Sequence, residues 1–561
     1  TTAAILASAT AAAAVVAASV TNQVQCNVSI VGAGWAGIYT AWRLIADAPE
    51  GNSRPSVCLF EAYHRPGGRT YSTRLGDYVV DAGAYRFARD MYLPADLITH
   101  ALGFRSVCYD PTCHDDDVRK EVAWPYELPL MKVVDFQGRH VGYGAALEAM
   151  LSRFEEAGGI LITGARLARI SQATPRQQSS AVKVPLQPVW RLGFADGRDV
   201  TSAMVLLNLP RPALKRVEGA EQAFGKERWA ALSCNLREFP GTLKEGATTT
   251  KVYAVYEDAW WVSRLGILRG LRENLTTAPP VSIHYHDGEV LCSDGSGPDI
   301  GGSLSWRPPR DVAGPLRQQC KGVLQVFYRH AQSCPAQFPD CMAYWGDLHR
   351  NNASDPVTVA HSSDPYGQTL THAIHAKLLQ MHAVDFKAAN ISSTDIAAIA
   401  PPKEVLFSVW YHEGTLPSRD QGLLTGPQDL IYNDHAAGLP EACGEADGGG
   451  PLQPEAWEER ALGLGSWASE GRPGQGLHVV NNDFAVTKAS AWHGPWAEQT
   501  LLAAERVVAR VFRLQRPRWL NATYYEQRVL QAKRAVSTEA AVTPTREAVI
   551  PWGGAAREVY T

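Results

Sequence analysis

Val28-Ser29-Ile30-Val31-Gly32-Ala33-Gly34-Trp35-Ala36-Gly37 is the stretch whose reading decides the fold. Residues 28–31 are a short apolar run, as expected of a strand buried on both faces of a parallel sheet. Ile38 to Ile45 then takes up helical spacing. Between the two the chain must turn sharply, let a ligand approach its backbone, and bring a helix close to the sheet. Each demand excludes a side chain, which places glycine at positions 32, 34 and 37. The free N–H groups at the start of such a helix face a diphosphate, so Trp35 and Ala36 join the expected contacts.

Working outward, a second apolar run, Val57-Cys58-Leu59-Phe60, ends in Glu61 at the distance expected of a βαβ unit. A carboxylate there accepts the ribose hydroxyls of an adenosine, with Ala62 beside it. Turn, helix, second strand and acid together predict a site for an adenine dinucleotide.

The next segment, Glu61-Ala62-Tyr63-His64-Arg65-Pro66-Gly67-Gly68-Arg69-Thr70-Tyr71-Ser72, resembles the E-x(3)-R-x-G-G-R-x-x-S segment of flavin amine oxidases. Paired glycines let backbone wrap a cofactor, and Arg69 offers a rigid multi-donor fork for phosphate or flavin oxygens. The resemblance extends loosely over residues 26–510 and is densest at the two ends. It implies an α/β chain in which a Rossmann-like FAD-binding domain is interleaved with an α+β substrate domain, FAD being held without a covalent bond. The expected boundaries are 24–89, 140–240 and 476–515 for the cofactor domain, and 90–139 and 241–475 for the substrate domain. Residues 1–23 form a leader and 516–561 an unassigned tail.

Further matches carry the expected site. Tyr78 to Phe87 resembles the segment that lays backbone along the flavin ring, which adds Gly83, Ala84 and Tyr85. Trp190 to Arg198 reads as a hairpin around Asp196-Gly197, running into the buried strand 204–209. Leu167 is placed on the adenine. Trp496-Ala497-Glu498-Gln499-Thr500 resembles the start of the final flavin-facing helix, which adds Trp496, Ala497 and Thr500. Where the family usually has Gly-Glu this chain has Asn482-Asp483, and Asp483 is the expected acceptor for the ribityl chain.

Two residues carry the chemistry that the resemblance implies. Lys251 lies in Thr250 to Trp261, an alternating strand with Lys251, Tyr253 and Val255 on one face. In the family a lysine ten places before a tryptophan holds a water against flavin N5, and burial lowers its pKa. Arg86 stands three places after Gly83, where amino-acid oxidases and amino-acid monooxygenases carry an arginine that grips the substrate carboxylate. A buried carboxylate needs a paired cation, and a bidentate guanidinium also sets its angle. Trp492 and Trp496 are placed beside the substrate amine, and Tyr328 is a second contact for the carboxylate. The implied reaction oxidises an L-amino acid to the imino acid, which hydrolyses to oxo acid and ammonia while oxygen becomes peroxide. An amino-acid 2-monooxygenase, a polyamine or monoamine oxidase, and a flavin-stabilised protein without turnover remain as alternatives. Venom-type amino-acid oxidases insert a helical domain between the arginine and the adenine-side strand, and this chain is too short there for all of it.

The bulk numbers predict two or more lobes. The chain has 561 residues, 45% apolar and 20% charged, with 53 basic against 57 acidic side chains and a net charge of −4. No basic run marks a nucleic-acid partner. Small molecules, an amino acid and O2, are the expected partners, with a homodimer left open. Residues 3–20 are alanine-rich and too weakly apolar for stable membrane insertion; a secretory remnant and a low-complexity leader both fit them. N-x-S/T sequons at Asn27, Asn274, Asn352, Asn390 and Asn521, with loop-bracketing cysteine pairs 108/113 and 334/341, point outside the cytoplasm. His284, His286, His412 and His493 lack metal spacing, so no metal is expected.

Overall fold

The computed structural model describes residues 23–47, 55–88, 91–108, 130–173, 189–233, 249–267, 270–292, 320–330, 341–349, 355–410, 452–469, 474–484 and 497–530, with positions 242–243, 334, 338, 430–431 and 443 between them. Trp492, Trp496, Cys113, Asn352, His412 and His493 lie outside these residues, as do nearly all of the leader and the tail beyond 530.

Strand β1 (Gln23–Val31) is flanked by β2 (Val57–Phe60), and β2 by β3 (Ile160–Ile162), all parallel. On the other side β1 pairs in parallel with β6 (Asp199–Leu207). An antiparallel hairpin of β4 (Leu167–Ala173) and β5 (Val189–Phe194) covers the early half of β6. Residues 195–198 close the β5–β6 connection around the Asp-Gly pair, as the sequence predicts. Helix α1 (Trp35–Ile45) crosses from β1 to β2, and every one of its residues is buried. It packs against α2 (Ala145–Glu156) and, from the far end of the chain, α4 (Ala497–Arg510). That remote contact is polar at its centre. Arg43 donates to both carboxylate oxygens of Glu505, at 3.1 and 3.0 Å, and Tyr39 donates to the same acid at 2.7 Å. Full burial makes each partner depend on the others, since a lone charge there is costly.

The second sheet has six antiparallel strands, built from β7 (Thr249–Tyr256), β8 (Leu271–Asn274), β9 (Val281–Cys292), β10 (Cys320–His330), β11 (Val357–His361) and β12 (Glu404–Trp410). Their order is β8-β9-β10-β7-β12-β11. Alternation divides β7 cleanly: Val252, Ala254 and Tyr256 enter a core that includes Leu370, Ile374 and Leu378 of helix α3 (Pro365–Met381). Tyr253 and Val255 face the hairpin of Ser72–Leu75 and Tyr78–Asp81, packing with Leu75, Tyr78 and Val80. The chain then returns to the first sheet through β13 (Leu477–Val479), which pairs in parallel with the later half of β6.

Disulfides tie both bodies. Cys334–Cys341 is the short loop pair expected from spacing. Cys26–Cys58 staples β1 to β2 inside the first sheet, which spacing did not suggest; the residues are 32 apart and meet only because the strands are neighbours. The side chain of Cys108 and all of Cys113 fall outside the described residues.

Candidate active site

The parallel strands β1, β2, β6 and β13 all end on one edge, and the glycine turn, Glu61, Asn208 and Asn481 gather there. Such an edge is where open α/β sheets bind ligands. Gly32 adopts φ 100°, and a Cβ on it would lie 2.3 Å from the Asn208 carbonyl oxygen. A Cβ on Gly37 would lie 1.9 Å from the Gly32 carbonyl oxygen, so the helix closes on the turn only because position 37 is bare. Side chains then lock the turn: Asn208 Nδ2 donates to Gly32 O at 3.0 Å, and Asn481 Nδ2 donates to Asn208 Oδ1 at 3.0 Å. No side chain caps α1, so its first N–H groups are available to an anion.

Glu61 accepts from Ala33 N–H at 2.8 Å and Tyr63 N–H at 2.9 Å. Burial raises its carboxyl, and those two N–H groups partly offset the rise. The Gly67-Gly68 loop docks on the first turn through Gly67 N–H to Ala33 O at 2.7 Å and Trp35 Nε1 to Thr70 Oγ1 at 2.8 Å. The two arginines of this loop part company. Arg65 holds the loop itself, donating to Gly68 O at 3.1 Å and lying 3.9 Å from the Tyr71 ring centre. Arg69 reaches residues 482–484, donating to Asn482 Oδ1 at 3.1 Å and pairing with Asp483 at 3.0 Å. Asp483 also accepts the Arg211 N–H at 2.9 Å. Both its oxygens therefore serve protein donors, and its expected service to a ribityl chain competes with these bonds.

Leu167 is buried where β4 meets β5, in a core with Phe60 and Phe194. On the first turn of α4, Ala497 is half-buried and Thr500 buried. Gln499 between them, which sequence reading passed over, is 1% exposed, and neither amide atom has a partner among the described residues. A buried amide left unsatisfied is free to bond a ligand or an ordered water.

The second sheet meets this edge along residues 81–84. Lys251 Nζ donates to Asp81 O at 2.9 Å and Gly83 O at 2.6 Å. Tyr253 OH donates to Asp81 O at 3.0 Å, while Ser408 Oγ and Trp410 Nε1 donate to Ala82 O at 2.8 and 2.9 Å. Burial pulls Lys251 down to about 7; Asp81 and Asp287 oppose the shift, and Arg86 and Lys132 reinforce it. Its nitrogen stands 3.4 Å from the Tyr85 ring centre and 5.4 Å from that of Tyr328. Arg86 lies 4.7 Å from the same Tyr85 ring, and Tyr85 and Tyr328 meet edge to face at 5.6 Å. Lys251 and Tyr328 are cross-strand partners. Residues 85, 86, 251 and 328, chosen separately from sequence, thus form one cluster.

Beside it stands a group that spacing did not single out. A bulge in β9 after His284 brings donor atoms of His284, His286 and Asp287 within 4.8 Å of one another. Burial pulls His284 down to about 4. Lys132 donates to His286 O at 2.7 Å and lies 4.0 Å from Asp287. With Lys132 and Lys251 facing it, Asp287 is a counter-charge to protein cations, a setting unfavourable to a divalent ion. The signal in the sequence was His-x-His-Asp, and only the bulge makes it a cluster.

Residues 30–94 match the family model described as an NAD(P)-binding Rossmann-like domain. The first sheet is a Rossmann-like dinucleotide-binding domain. Solved structures of putrescine oxidase align with most of the chain. The wild type bound to putrescine is 11% identical, covering 88% of this chain and 100% of that one with a TM-score of 0.44. A triple mutant from the same redesign of cofactor binding is 11% identical, covering 87% and 99% with a TM-score of 0.43. The comparison with curated proteins finds no significant match. Among the described residues no helix is long and apolar enough to cross a membrane.

Proposed function

We propose that this chain is an FAD-dependent oxidase of the flavin amine oxidase type that acts on L-α-amino acids. The convergence of Arg86 and Lys251 on the Tyr85 ring is the observation that carries the reading. The residues present suit FAD: a glycine cradle, an uncapped helix start, the orphaned amide of Gln499, and the E-x(3)-R-x-G-G-R segment at its edge. When bound, FAD supplies the two-electron acceptor that amino-acid oxidation requires and hands the electrons to O2.

The protein's own share follows from position and charge. Arg86 grips the substrate carboxylate and orients the α-carbon. Lys251 spends two hydrogens on Asp81 O and Gly83 O. Its third position is an N–H when charged and a lone pair when neutral, so near pH 7 it can hold a water or move a proton beside the reacting carbon. Tyr328 and the neutral His284 wall the cluster, their rings 5.6 Å apart. The Cys26–Cys58 and Cys334–Cys341 bridges support an oxidising, extracytoplasmic setting.

The test is anaerobic mixing of the yellow protein with L-amino acids, D-amino acids and plain amines. Bleaching by L-amino acids alone is expected, followed in air by peroxide and ammonia. Arg86→Ala should raise the amino-acid KM by roughly 30- to 1,000-fold, the loss of one partner of a charge pair, with FAD content unchanged. Bleaching by amines with Arg86→Ala indifferent would replace this reading with an amine oxidase.

A further inference from the structure

Lys251 is not held by side-chain acids but by main-chain oxygens, and what holds those oxygens is a second layer. The carboxylate of Asp81, 4% exposed, accepts from Ser72 Oγ and from Tyr143 N–H at 2.9 Å, and meets His140 Nε2 at 3.1 Å. The carbonyl of the same residue accepts Lys251 Nζ and Tyr253 OH. One residue therefore faces two domains, its carboxylate anchored on one side and its carbonyl offered to the other. Gln325 Nε2 completes the second side by donating to Tyr253 OH at 2.7 Å.

We propose that Asp81 is the positioning residue of Lys251, its clamped carboxylate fixing the carbonyl pair that receives the lysine and supplying the main negative field that acts on it. This rests on the reading of Lys251 as the group that works beside the flavin. The charged and titratable groups facing Lys251 are Asp81 from the hairpin, Tyr85 and Arg86 from the segment after it, Lys132 from Leu130–Val134, Asp287 from β9, Tyr328 from β10 and Tyr253 on its own strand. Among the acids Asp81 acts most strongly, ahead of Asp287. Facing Asp81 are His140, Lys251, Ser72, Tyr143 and Tyr253. Burial alone would raise the Asp81 carboxyl; His140, Lys251 and Ser72 outweigh it and hold the group ionised.

Stability against pH reads this coupling without any turnover. Lys251 falls from its ordinary 10.5 to about 7 in the folded chain, so between those values the unfolded chain binds more protons. Its contribution therefore makes the protein more stable as pH rises from about 7 to 10.5, and the full destabilisation is present below 7. Asp81→Asn removes the opposing negative charge, lowers the folded value further and starts the rise about one pH unit earlier.

The experiment follows the melting temperature of the flavoprotein from pH 5.5 to 10 in wild type, Lys251→Met and Asp81→Asn. Lys251→Met should lose the rise, Asp81→Asn should displace it downward, and Asp81→Glu should return it towards wild type. The same displacement is expected in the pH dependence of reoxidation by O2 after dithionite reduction. Should Asp81→Asn fail to accumulate, His140→Arg places a fixed positive charge against the carboxylate and should move the rise the same way. A rise that starts at the wild-type pH in either variant overturns the proposal. If Lys251→Met reoxidises at the wild-type rate while Asp81→Asn still displaces the stability rise, the catalytic reading of Lys251 fails and the coupling stands.

Discussion

The parallel edge of the first sheet and the inner face of the second line the same site by opposite means. At the first, backbone is the working surface and side chains serve it: Asn208, Asn481 and Glu61 all bond to, or brace, the glycine turn. On the second, side chains are the working surface and are served by backbone, the carbonyls of residues 81–83 receiving Lys251, Tyr253, Ser408 and Trp410. Errors at the first should therefore be steric and nearly all-or-none, whereas errors on the second should be graded and electrostatic. The expected contrast is between an edge that tolerates no added atom and a face that tolerates many shapes and few changes of charge.

The sharpest way to break this contrast is Gly32→Ala. Its Cβ would sit 2.3 Å from the Asn208 carbonyl oxygen at φ 100°. The combined strain and clash are on the order of 4 kcal/mol, and the protein should purify without flavin colour; a yellow variant with ordinary FAD content would show the edge to be adaptable. Next comes Lys251→Met, which keeps volume and removes charge. Stopped-flow reduction and reoxidation should slow by roughly 10²- to 10⁴-fold with FAD retained, and unchanged rates would leave the second face without its central residue. The Cys26–Cys58 staple belongs only to the first sheet. Cys58→Ala should lower unfolding free energy by about 3–4 kcal/mol from loop closure alone, measured by denaturant titration under non-reducing conditions. The mildest change is Tyr253→Phe, which deletes one hydrogen bond to Asp81 O. Stability should fall by about 1–3 kcal/mol because its partner Gln325 is buried too, and Lys251 should keep its pH response.

The two regions also differed in how far they could be read in advance. The glycine turn, α1, β2 and Glu61 lie within 34 consecutive residues, from Val28 to Glu61, and their steric requirements are written as residue types. Lys251 and Tyr253 were placed correctly on one face because strand alternation is local. The sequence singled out Arg69 but not its partner: Arg65 holds its own loop, and Arg69 reaches Asp483 more than 400 positions away. The Gln499 amide gave no signal at all, since an unsatisfied group exists only once the helix is packed.

By itself the sequence determined the dinucleotide turn, the hairpin return and the alternation of β7 from short-range sterics and periodicity, while Arg86 and Lys251 were chosen through the resemblance to flavin amine oxidases. Tertiary structure alone decided that Cys26 meets Cys58, that Glu505 neutralises Arg43, that a bulge gathers His284, His286 and Asp287, and that Asp81 anchors the cradle of Lys251. The reason is physical. Periodicity fixes which way a side chain points along its own element, but burial, charge pairing and desolvation depend on what the other elements bring against it.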